Sequence, residues 1–102
     1  MNKTSTPLAA STLEIQNFLH KYPDWKINGE QESLERIFSL KSYFKGLCFL
    51  QTLGWLAQKN NHHPDLELSF TQLKCRLTTH DIGNKVSNMD LVFAEMIEQS
   101  WF

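Results

Sequence analysis

Three of the four histidines in this 102-residue chain lie in two short polar segments separated by an alternating apolar stretch. His62 and His63 precede a proline, and His80 lies in the run TTHD. Because the unperturbed pKa of histidine is roughly 6.5, imidazole gains and loses protons near neutral pH. Imidazoles around one cavity suit general acid–base catalysis, in which one group protonates a leaving oxygen and another accepts a proton. No serine, cysteine or lysine is placed as an obvious nucleophile, so covalent catalysis is not indicated.

The residues alone leave two other interpretations of these histidines open. Paired imidazoles after a helix can hydrogen-bond the last helix carbonyls and serve only the fold. Three imidazoles can also hold zinc with an open coordination position. Adjacent residues of an extended segment point to opposite faces, however, so His62 and His63 do not easily share one ion. The fourth histidine, His20, lies near a predicted helix C-terminus, where the helix dipole favours an imidazole and a surface role is expected.

The stretch between the two histidine segments has the pattern of a hairpin. Apolar residues alternate with polar ones from 66 to 70 and again from 73 to 77, which predicts two half-buried strands. A turn at 71–72 sets a register that, carried outward, places His63 opposite His80. Directly opposed residues have Cβ atoms roughly 5 Å apart. The sequence therefore predicts that the three histidines meet at one end of a sheet, next to the end of the preceding helix.

The rest of the chain supplies three helices and another hairpin. Two capping boxes, Ser11 with Glu14 and Ser87 with Asp90, are typical of helix starts. The remaining boundaries follow from apolar periodicity and turn residues. The predicted spans are a helix over 12–20, strands over 25–27 and 33–40, a helix over 42–60, strands over 66–70 and 73–77, and a helix over 88–100.

Composition and length limit the possible classes of function. The net charge is −1 and no basic stripe occurs, which disfavours direct binding of nucleic acid. No apolar run is long enough to span a bilayer, and the N-terminus lacks the apolar core of a secretory signal. Two cysteines outside any CxxC pattern fit a reducing cytoplasm. The length predicts one domain over residues 11–102, preceded by a flexible tail over residues 1–10.

The segments NNHHPDLELSF and CRLTTHDIGNKVSNMDLVFAEMI resemble the pterin-4a-carbinolamine dehydratase family. The resemblance extends roughly from Asp24 to the end of the chain. His-His-Pro combined with Thr-His-Asp is fairly specific, whereas either half alone is weak. The positions that match the family pattern are His62, His63, Pro64, Phe70, Thr79, His80, Asp81, Gly83 and Asp90.

The resemblance implies an enzyme that removes water from 4a-hydroxytetrahydropterin and so recycles the pterin cofactor of aromatic amino acid hydroxylases. It implies that His62 and His80 form the acid–base pair and that His63 positions the pterin. Neither a metal nor a bound cofactor is implied, because the pterin is the substrate. The residues implied to line the pocket are Pro64, Thr79, Asp81 and Ile82, with Asp90 in a supporting role. The implied fold is α+β, a four-stranded antiparallel sheet with three helices packed on one face, in the order α-β-β-α-β-β-α.

The chain departs from the family pattern at Gln58, where relatives carry an acidic residue four positions before His62. A neutral amide cannot stabilise an imidazolium by charge, so weaker activity is expected. This departure supports a second hypothesis, a non-catalytic oligomeric module that binds a pterin or a protein. Asn84 replaces a second glycine of the turn and tolerates left-handed geometry. The resemblance also implies a homodimer or homotetramer, and the helix over 42–60 is more apolar than one core-facing stripe requires.

Overall fold

The computed structural model describes residues 7–101. Within this range three α-helices and four β-strands follow one another in the predicted order, and one 3₁₀ turn precedes the last helix. The predicted boundaries agree to within one residue, except at the end of the third strand. The elements are α1 (Thr12–Lys21), β1 (Trp25–Asn28), β2 (Ser33–Ser39), α2 (Tyr43–Asn60), β3 (Asp65–Leu68), β4 (Gln72–Leu77), the 3₁₀ turn (His80–Ile82) and α3 (Asn88–Ser100).

The four strands form an antiparallel sheet in the order β1-β2-β4-β3. In the central pair, Leu34 lies opposite Leu77 and Phe38 lies opposite Leu73. Their side chains alternate onto one face of the sheet, where all four are buried. The three helices pack on that face, which confirms the predicted α+β architecture. The helix residues that join this core are Ile15, Phe18, Phe49, Leu53, Ala57, Phe93, Ala94 and Ile97.

Arg36 interrupts the apolar alternation of β2, and its partners explain why the strand tolerates it. Its Nε donates to Glu98 Oε1 of α3 at 2.6 Å, and its guanidinium lies 4.0 Å from the centre of the Phe38 ring. Trp25 Nε1 donates to the same Glu98 oxygen at 2.7 Å. The charge is therefore paired where it enters the core, and the contact joins α3 to the first two strands.

Both predicted capping boxes are present and fix the starts of α1 and α3. The Ser11 hydroxyl accepts from Glu14 N, and the Glu14 carboxylate accepts from Ser11 N. The Ser87–Asp90 box at α3 has the same reciprocal bonds. These bonds satisfy backbone donors that a helix start otherwise leaves without partners. The second box also sets the position of a carboxylate that faces the histidine segments.

The second hairpin has a different register from the predicted one. Leu68 pairs with Leu73, so the turn is centred one residue earlier and every pairing is displaced by two positions. A displacement of two leaves each side chain on its predicted face, but it removes the opposition of His63 and His80. Phe70 lies in the turn and is exposed. The predicted pairing was wrong because alternation determines only which face of the sheet each side chain is on. It does not distinguish registers that differ by two residues.

The segment before α1 pairs with the segment before α3. Ala10 N donates to Val86 O at 2.9 Å, and Ala9 lies opposite Ser87 in an isolated bridge. Ala10 is buried, so the packed structure begins before the predicted domain start at residue 11. Residues 1–6 of the predicted tail lie outside the described residues. Between residues 7 and 101 there is no helix long and apolar enough to cross a membrane.

Candidate active site

His62 is positioned by the way α2 ends. Asn61 takes a left-handed conformation with φ of 52°, which ends the helix, and His62 N donates back to Ala57 O at 3.2 Å. Asparagine is among the few residues that adopt this conformation at low cost. The imidazole then packs edge-on against Phe93 of α3, with 5.5 Å between ring centres, and 13% of the His62 side chain is exposed.

The buried Asp90 carboxylate holds this imidazole. Asp90 Oδ1 lies 2.6 Å from His62 Nε2, and the Asp90 side chain has no exposed surface. The other oxygen, Oδ2, accepts from Ser87 N and from the Thr79 hydroxyl, both at 2.8 Å. Because a carboxylate only accepts hydrogen bonds, His62 Nε2 carries the proton in this contact. The other ring nitrogen, Nδ1, has no hydrogen-bond partner among residues 7–101.

The hydroxyls behind Asp90 form a closed chain of hydrogen bonds. Asp90 N donates to Ser87 Oγ at 3.3 Å, and Ser87 Oγ lies 2.6 Å from Thr79 Oγ1. Thr79 Oγ1 donates to Asp90 Oδ2 at 2.8 Å, and the Ser87 hydroxyl lies 3.3 Å from the same oxygen. Satisfied buried networks of this kind resist rearrangement, because breaking one member leaves another without a partner. The helix cap of α3 thus also fixes the carboxylate that orients His62.

His80 is positioned by a short loop that closes on itself. The loop passes through two left-handed residues, Gly83 with φ of 76° and Asn84 with φ of 59°. Asn84 N donates to Thr79 O, and Thr79 N donates to Lys85 O. The loop returns the Asn84 side chain to His80, where its Oδ1 lies 2.6 Å from His80 Nδ1. His80 itself is exposed.

The turn between β1 and β2 supports this loop from the side. Three of its backbone carbonyls accept bonds from the loop and from the end of β4. Thr78 Oγ1 donates to Glu32 O at 2.6 Å, and Lys85 Nζ donates to Glu30 O at 3.0 Å. Val86 N donates to a third carbonyl of the turn at 2.9 Å. The loop that carries His80 is therefore hydrogen-bonded to the turn between β1 and β2 both before and after that histidine.

The three predicted catalytic histidines line one cavity of about 220 Å³. The cavity lies between the end of α2 and the 3₁₀ turn and is open to solvent. Its lining comes from two segments of the chain, residues 61–63 after α2 and residues 78–81 after β4. The lining residues are Asn61, His62, His63, Thr78, Thr79, His80 and Asp81.

Not all of the residues predicted for the site line the cavity. Pro64 and Ile82 are not among the residues that line the cavity. Gln58 lies on the exposed side of α2. The carboxylate on His62 comes from Asp90, 28 positions further along the chain. The absence of an acid at position 58 therefore does not leave His62 without a carboxylate partner.

Three polar residues with a part in the site were missing from the sequence-based set. Asn61 and Thr78 line the cavity, and Asn84 binds His80. Asn61 had a signal in the sequence, because asparagine directly after a long helix is typical of a left-handed cap. Between residues 7 and 101, no group of three or more His, Cys, Asp or Glu side chains has an arrangement that could hold a metal ion.

Sequence comparison identifies the family. The model of the family "Pterin 4 alpha carbinolamine dehydratase" matches residues 9–100. A protein of Hydrogenovibrio crunogenus with the provisional name pterin-4-alpha-carbinolamine dehydratase is 31% identical over 84 residues, which are 82% of this chain and 74% of that protein. A protein of Xanthomonas euvesicatoria with the same provisional name is 31% identical over 85 residues, or 83% and 71% of the two chains. The chain belongs to the pterin-4a-carbinolamine dehydratase family.

Solved structures share the fold. The crystal structure of a "transcriptional coactivator/pterin dehydratase" from Brucella melitensis superimposes with a TM-score of 0.81 at 22% identity, over 90% of this chain and 97% of that one. A "pterin dehydratase-like protein" described as a RuBisCO assembly factor in the alpha-carboxysome superimposes with a TM-score of 0.63 at 22% identity, over 74% and 87%. At this identity the two structures support the architecture alone.

Proposed function

We propose that this protein dehydrates 4a-hydroxytetrahydropterin, with His62 and His80 as the acid–base pair. The observation that carries the proposal is that both imidazoles line one cavity and that each is held by a separate acceptor through one ring nitrogen. Membership of the family supports the class of substrate. The pterin is the substrate, and the reaction as proposed needs no bound cofactor.

The proposed reaction is an elimination that moves two protons. The C4a–O bond breaks while an acid donates a proton to the leaving hydroxyl, which departs as water. A base takes the proton from N5, and the electrons of that N–H bond form the C4a–N5 double bond of the quinonoid dihydropterin. The acid must therefore reach the 4a-oxygen, and the base must reach the proton on the neighbouring N5. Two imidazoles that line one cavity from separate segments of the chain suit these two tasks.

The remaining cavity residues fit roles in binding. His63 is exposed, lines the cavity and, among residues 7–101, makes no hydrogen bond to the network around Asp90, which suits a residue that positions the pterin. Thr79 and Asp81 line the same wall as His80. Pro64 and Ile82 each directly follow a lining residue in the chain, and we assign them to holding the local backbone. These assignments rest on the proposed activity.

The decisive experiment is a turnover assay with 4a-hydroxytetrahydropterin produced in place by a hydroxylase. Purified wild-type protein is expected to accelerate dehydration above the spontaneous rate. His62→Ala and His80→Ala are each expected to lower kcat about 100-fold or more, since a general acid or base contributes about 10²–10⁴-fold. His20→Ala is the matched control, because His20 is an exposed histidine on α1 outside the cavity.

The same assay separates the proposal from the non-catalytic alternative. Absence of acceleration by the folded wild-type protein would contradict catalysis and favour a module that binds without turnover. Equal loss of activity in His20→Ala would point to a general effect of removing histidine rather than to the cavity. The Asp90 contact to His62 is the observation that favours the enzyme over the module.

Self-association through α2 is the second part of the proposed function. Phe44 and Trp55 lie 11 residues apart, so they share a face of the helix, and 73% and 68% of their surfaces are exposed in the single chain. Tyr43 and Leu47 extend the same apolar patch. A patch of this kind on a small chain of net charge −1 fits a second copy of the same chain, because so small a net charge adds little repulsion between two copies.

Light scattering after size exclusion tests this association. The wild-type protein is expected to run as a dimer or tetramer, and the double variant Phe44→Glu/Trp55→Glu is expected to run as a monomer with an unchanged circular dichroism spectrum. Leu13→Glu, a change at an exposed leucine of α1, serves as the control and is expected to keep the wild-type mass. A monomeric wild-type protein would contradict this part of the proposal.

The cytoplasm is the compartment that we propose. Both cysteines, Cys48 and Cys75, are free thiols. Thiols persist where glutathione and thioredoxin keep the environment reducing. Fractionation of cells that produce the full chain tests the assignment, and recovery from an oxidising compartment would contradict it.

A further inference from the structure

Asn84 and His80 make a contact that the proposed reaction does not yet use. Asn84 Oδ1 lies 2.6 Å from His80 Nδ1, and among residues 7–101 His80 Nε2 has no hydrogen-bond partner. An amide oxygen accepts hydrogen bonds and cannot donate them. His80 Nδ1 therefore carries the hydrogen, and Nε2 of the neutral ring keeps an unshared electron pair.

We propose that Asn84 is a positioning residue that holds His80 in the tautomer able to accept the N5 proton at Nε2. His80 is then the base of the elimination, and His62 is the acid that protonates the leaving hydroxyl. This inference rests on the proposed dehydratase activity for its chemistry. Its structural part, the control of a tautomer by a neighbouring amide, does not depend on turnover.

The backbone explains why an asparagine can do this at position 84. The residue has φ of 59°, a conformation open at low cost to glycine, asparagine and aspartate. Glycine offers no acceptor to His80, and aspartate adds a charge. Asparagine is therefore the neutral residue that combines the required backbone with an acceptor oxygen. The preceding Gly83 and the backbone bond from Asn84 N to Thr79 O fix the direction of the side chain.

The contrast with His62 supports the division into acid and base. His62 is bonded to the Asp90 carboxylate, whereas His80 is bonded to a neutral amide. A carboxylate stabilises an imidazolium by charge, and an amide oxygen does not. A proton donor gains from the first arrangement and a neutral proton acceptor from the second. The two histidines also present different ring nitrogens, Nδ1 in His62 and Nε2 in His80.

Nitrogen-15 spectroscopy of the histidines tests the tautomer directly. The protein is labelled with ¹⁵N-histidine, and long-range ¹H–¹⁵N spectra are recorded in alkaline buffer, where neutral rings predominate. The His80 signals, assigned from their loss in His80→Gln, are expected to show a protonated Nδ1 in wild type. Asn84→Gly is expected to shift them toward the other tautomer, and Asn84→Asp is expected to preserve the wild-type pattern.

Steady-state kinetics provides the second measurement. Asn84→Gly is expected to lower kcat about tenfold with little change in KM, a part of the about 10²–10⁴-fold that a general base contributes. Asn84→Asp is expected to restore only part of kcat, because it keeps an acceptor for Nδ1 but adds a charge that favours an imidazolium. Gln31→Gly is the matched control, because Gln31 also has a left-handed φ of 60°, it lies outside the cavity, and glycine keeps the backbone carbonyl that accepts from Val86 N. It is expected to leave both the His80 signals and kcat unchanged.

The outcomes distinguish this inference from the proposed function. A wild-type His80 protonated at Nε2, or an unchanged tautomer in Asn84→Gly, overturns the role of Asn84 while catalysis by His62 and His80 still stands on its own assay. A wild-type protein that fails to accelerate dehydration overturns the proposed function and the assignment of His80 as base with it. The expected tautomers together with the expected fall and partial recovery of kcat support both.

Discussion

The contact between Asp90 and His62 leads to the strongest prediction, which concerns Asp90→Asn. The amide keeps one oxygen and places an NH₂ group where the other oxygen was. If that group faces Ser87 N, a donor meets a donor, and the Thr79 hydroxyl loses its acceptor. The amide therefore turns its NH₂ group toward His62, whose Nε2 must then accept, so the proton of the neutral ring moves to Nδ1.

The size of the effect follows from the bonds that Asp90 makes. Three of them are short, at 2.6, 2.8 and 2.8 Å, and each loses the assistance of a charge in Asp90→Asn. That loss is about 1 kcal/mol per bond, and relief from burying a charge returns part of it, so the free energy of unfolding is expected to fall by about 2 kcal/mol. Because the amide no longer stabilises an imidazolium at His62 by charge, kcat is expected to fall about 100-fold, which corresponds to about 2.7 kcal/mol of transition-state stabilisation.

Glu98→Gln is the matched control for this experiment. It makes the same acid-to-amide exchange at a carboxylate that binds Arg36 and Trp25 away from the cavity. Because it leaves a largely buried guanidinium with a weakened partner, it is expected to cost about 3 kcal/mol of stability. Its kcat is expected to stay within about twofold of wild type, since no cavity residue changes partner.

Urea unfolding and turnover are measured for both variants at a temperature where both are folded. If Asp90→Asn keeps kcat within about twofold of wild type, the carboxylate does not set the reactive state of His62, and the mechanism is refuted. If both variants lose activity in proportion to their loss of stability, kcat follows stability rather than the contact between Asp90 and His62, and the mechanism is equally refuted.

Three further predictions concern stability and reactivity. Burial raises the pKa of Glu35, but hydrogen bonds and neighbouring cations outweigh the effect of burial and hold the pKa below 4.5. The destabilisation caused by Glu35→Gln should therefore be full at neutral pH and should be lost as the pH falls below 4.5, as measured by urea titrations. Burial raises the pKa of Cys75 to about 12, so a Cys48→Ser variant should resist thiol reagents until it is denatured. Gly46→Ala should lower the free energy of unfolding in urea by about 1–3 kcal/mol, because the added Cβ would lie 2.5 Å from Leu40 Cδ1. In the control Gly54→Ala the added Cβ meets no atom within 4 Å, so this change should not destabilise the protein.

Local patterns in the sequence were sufficient for the elements and for the faces they bury. Capping boxes, apolar periodicity and turn residues act over a few positions, so Ser11 and Ser87 could be read as helix starts without any tertiary contact. The register of the second hairpin could not be read in this way. Registers that differ by two positions bury the same face, and neither Phe70–Thr71 nor Thr71–Gln72 is a favoured turn pair.

The cluster of histidines was nevertheless predicted despite the wrong register. His62 reaches the cavity because α2 ends at Asn61, and His80 reaches it because the chain turns after β4. The predicted register placed His63 directly opposite His80, which is wrong, but both residues lie at the same end of the hairpin in either register. A cavity needs several groups at one end of a sheet, and it does not need them to be directly paired.

The partners of the two imidazoles were harder to predict because they depend on packing between distant elements. Asp90 lies 28 positions from His62, and nothing between them signals that α3 brings its capping carboxylate to the end of α2. Asn84 lies only four positions from His80, but its side chain reaches the ring through two consecutive left-handed residues. Its sequence context indicated tolerance of that backbone and gave no sign of a hydrogen bond.

The same positions serve the fold and the proposed chemistry, and this follows from how few residues each position accepts. Asn61 and Asn84 occupy left-handed conformations, and Asp90 completes a helix cap. Each backbone requirement already limits the choice to small polar side chains, which are also the acceptors that can orient an imidazole. A short chain can therefore hold two histidines rigidly without a separate supporting shell, since the residues that end and start its helices and turn its loop provide one. Substitutions that satisfy the backbone but remove the acceptor, as Asn84→Gly does, separate the two requirements.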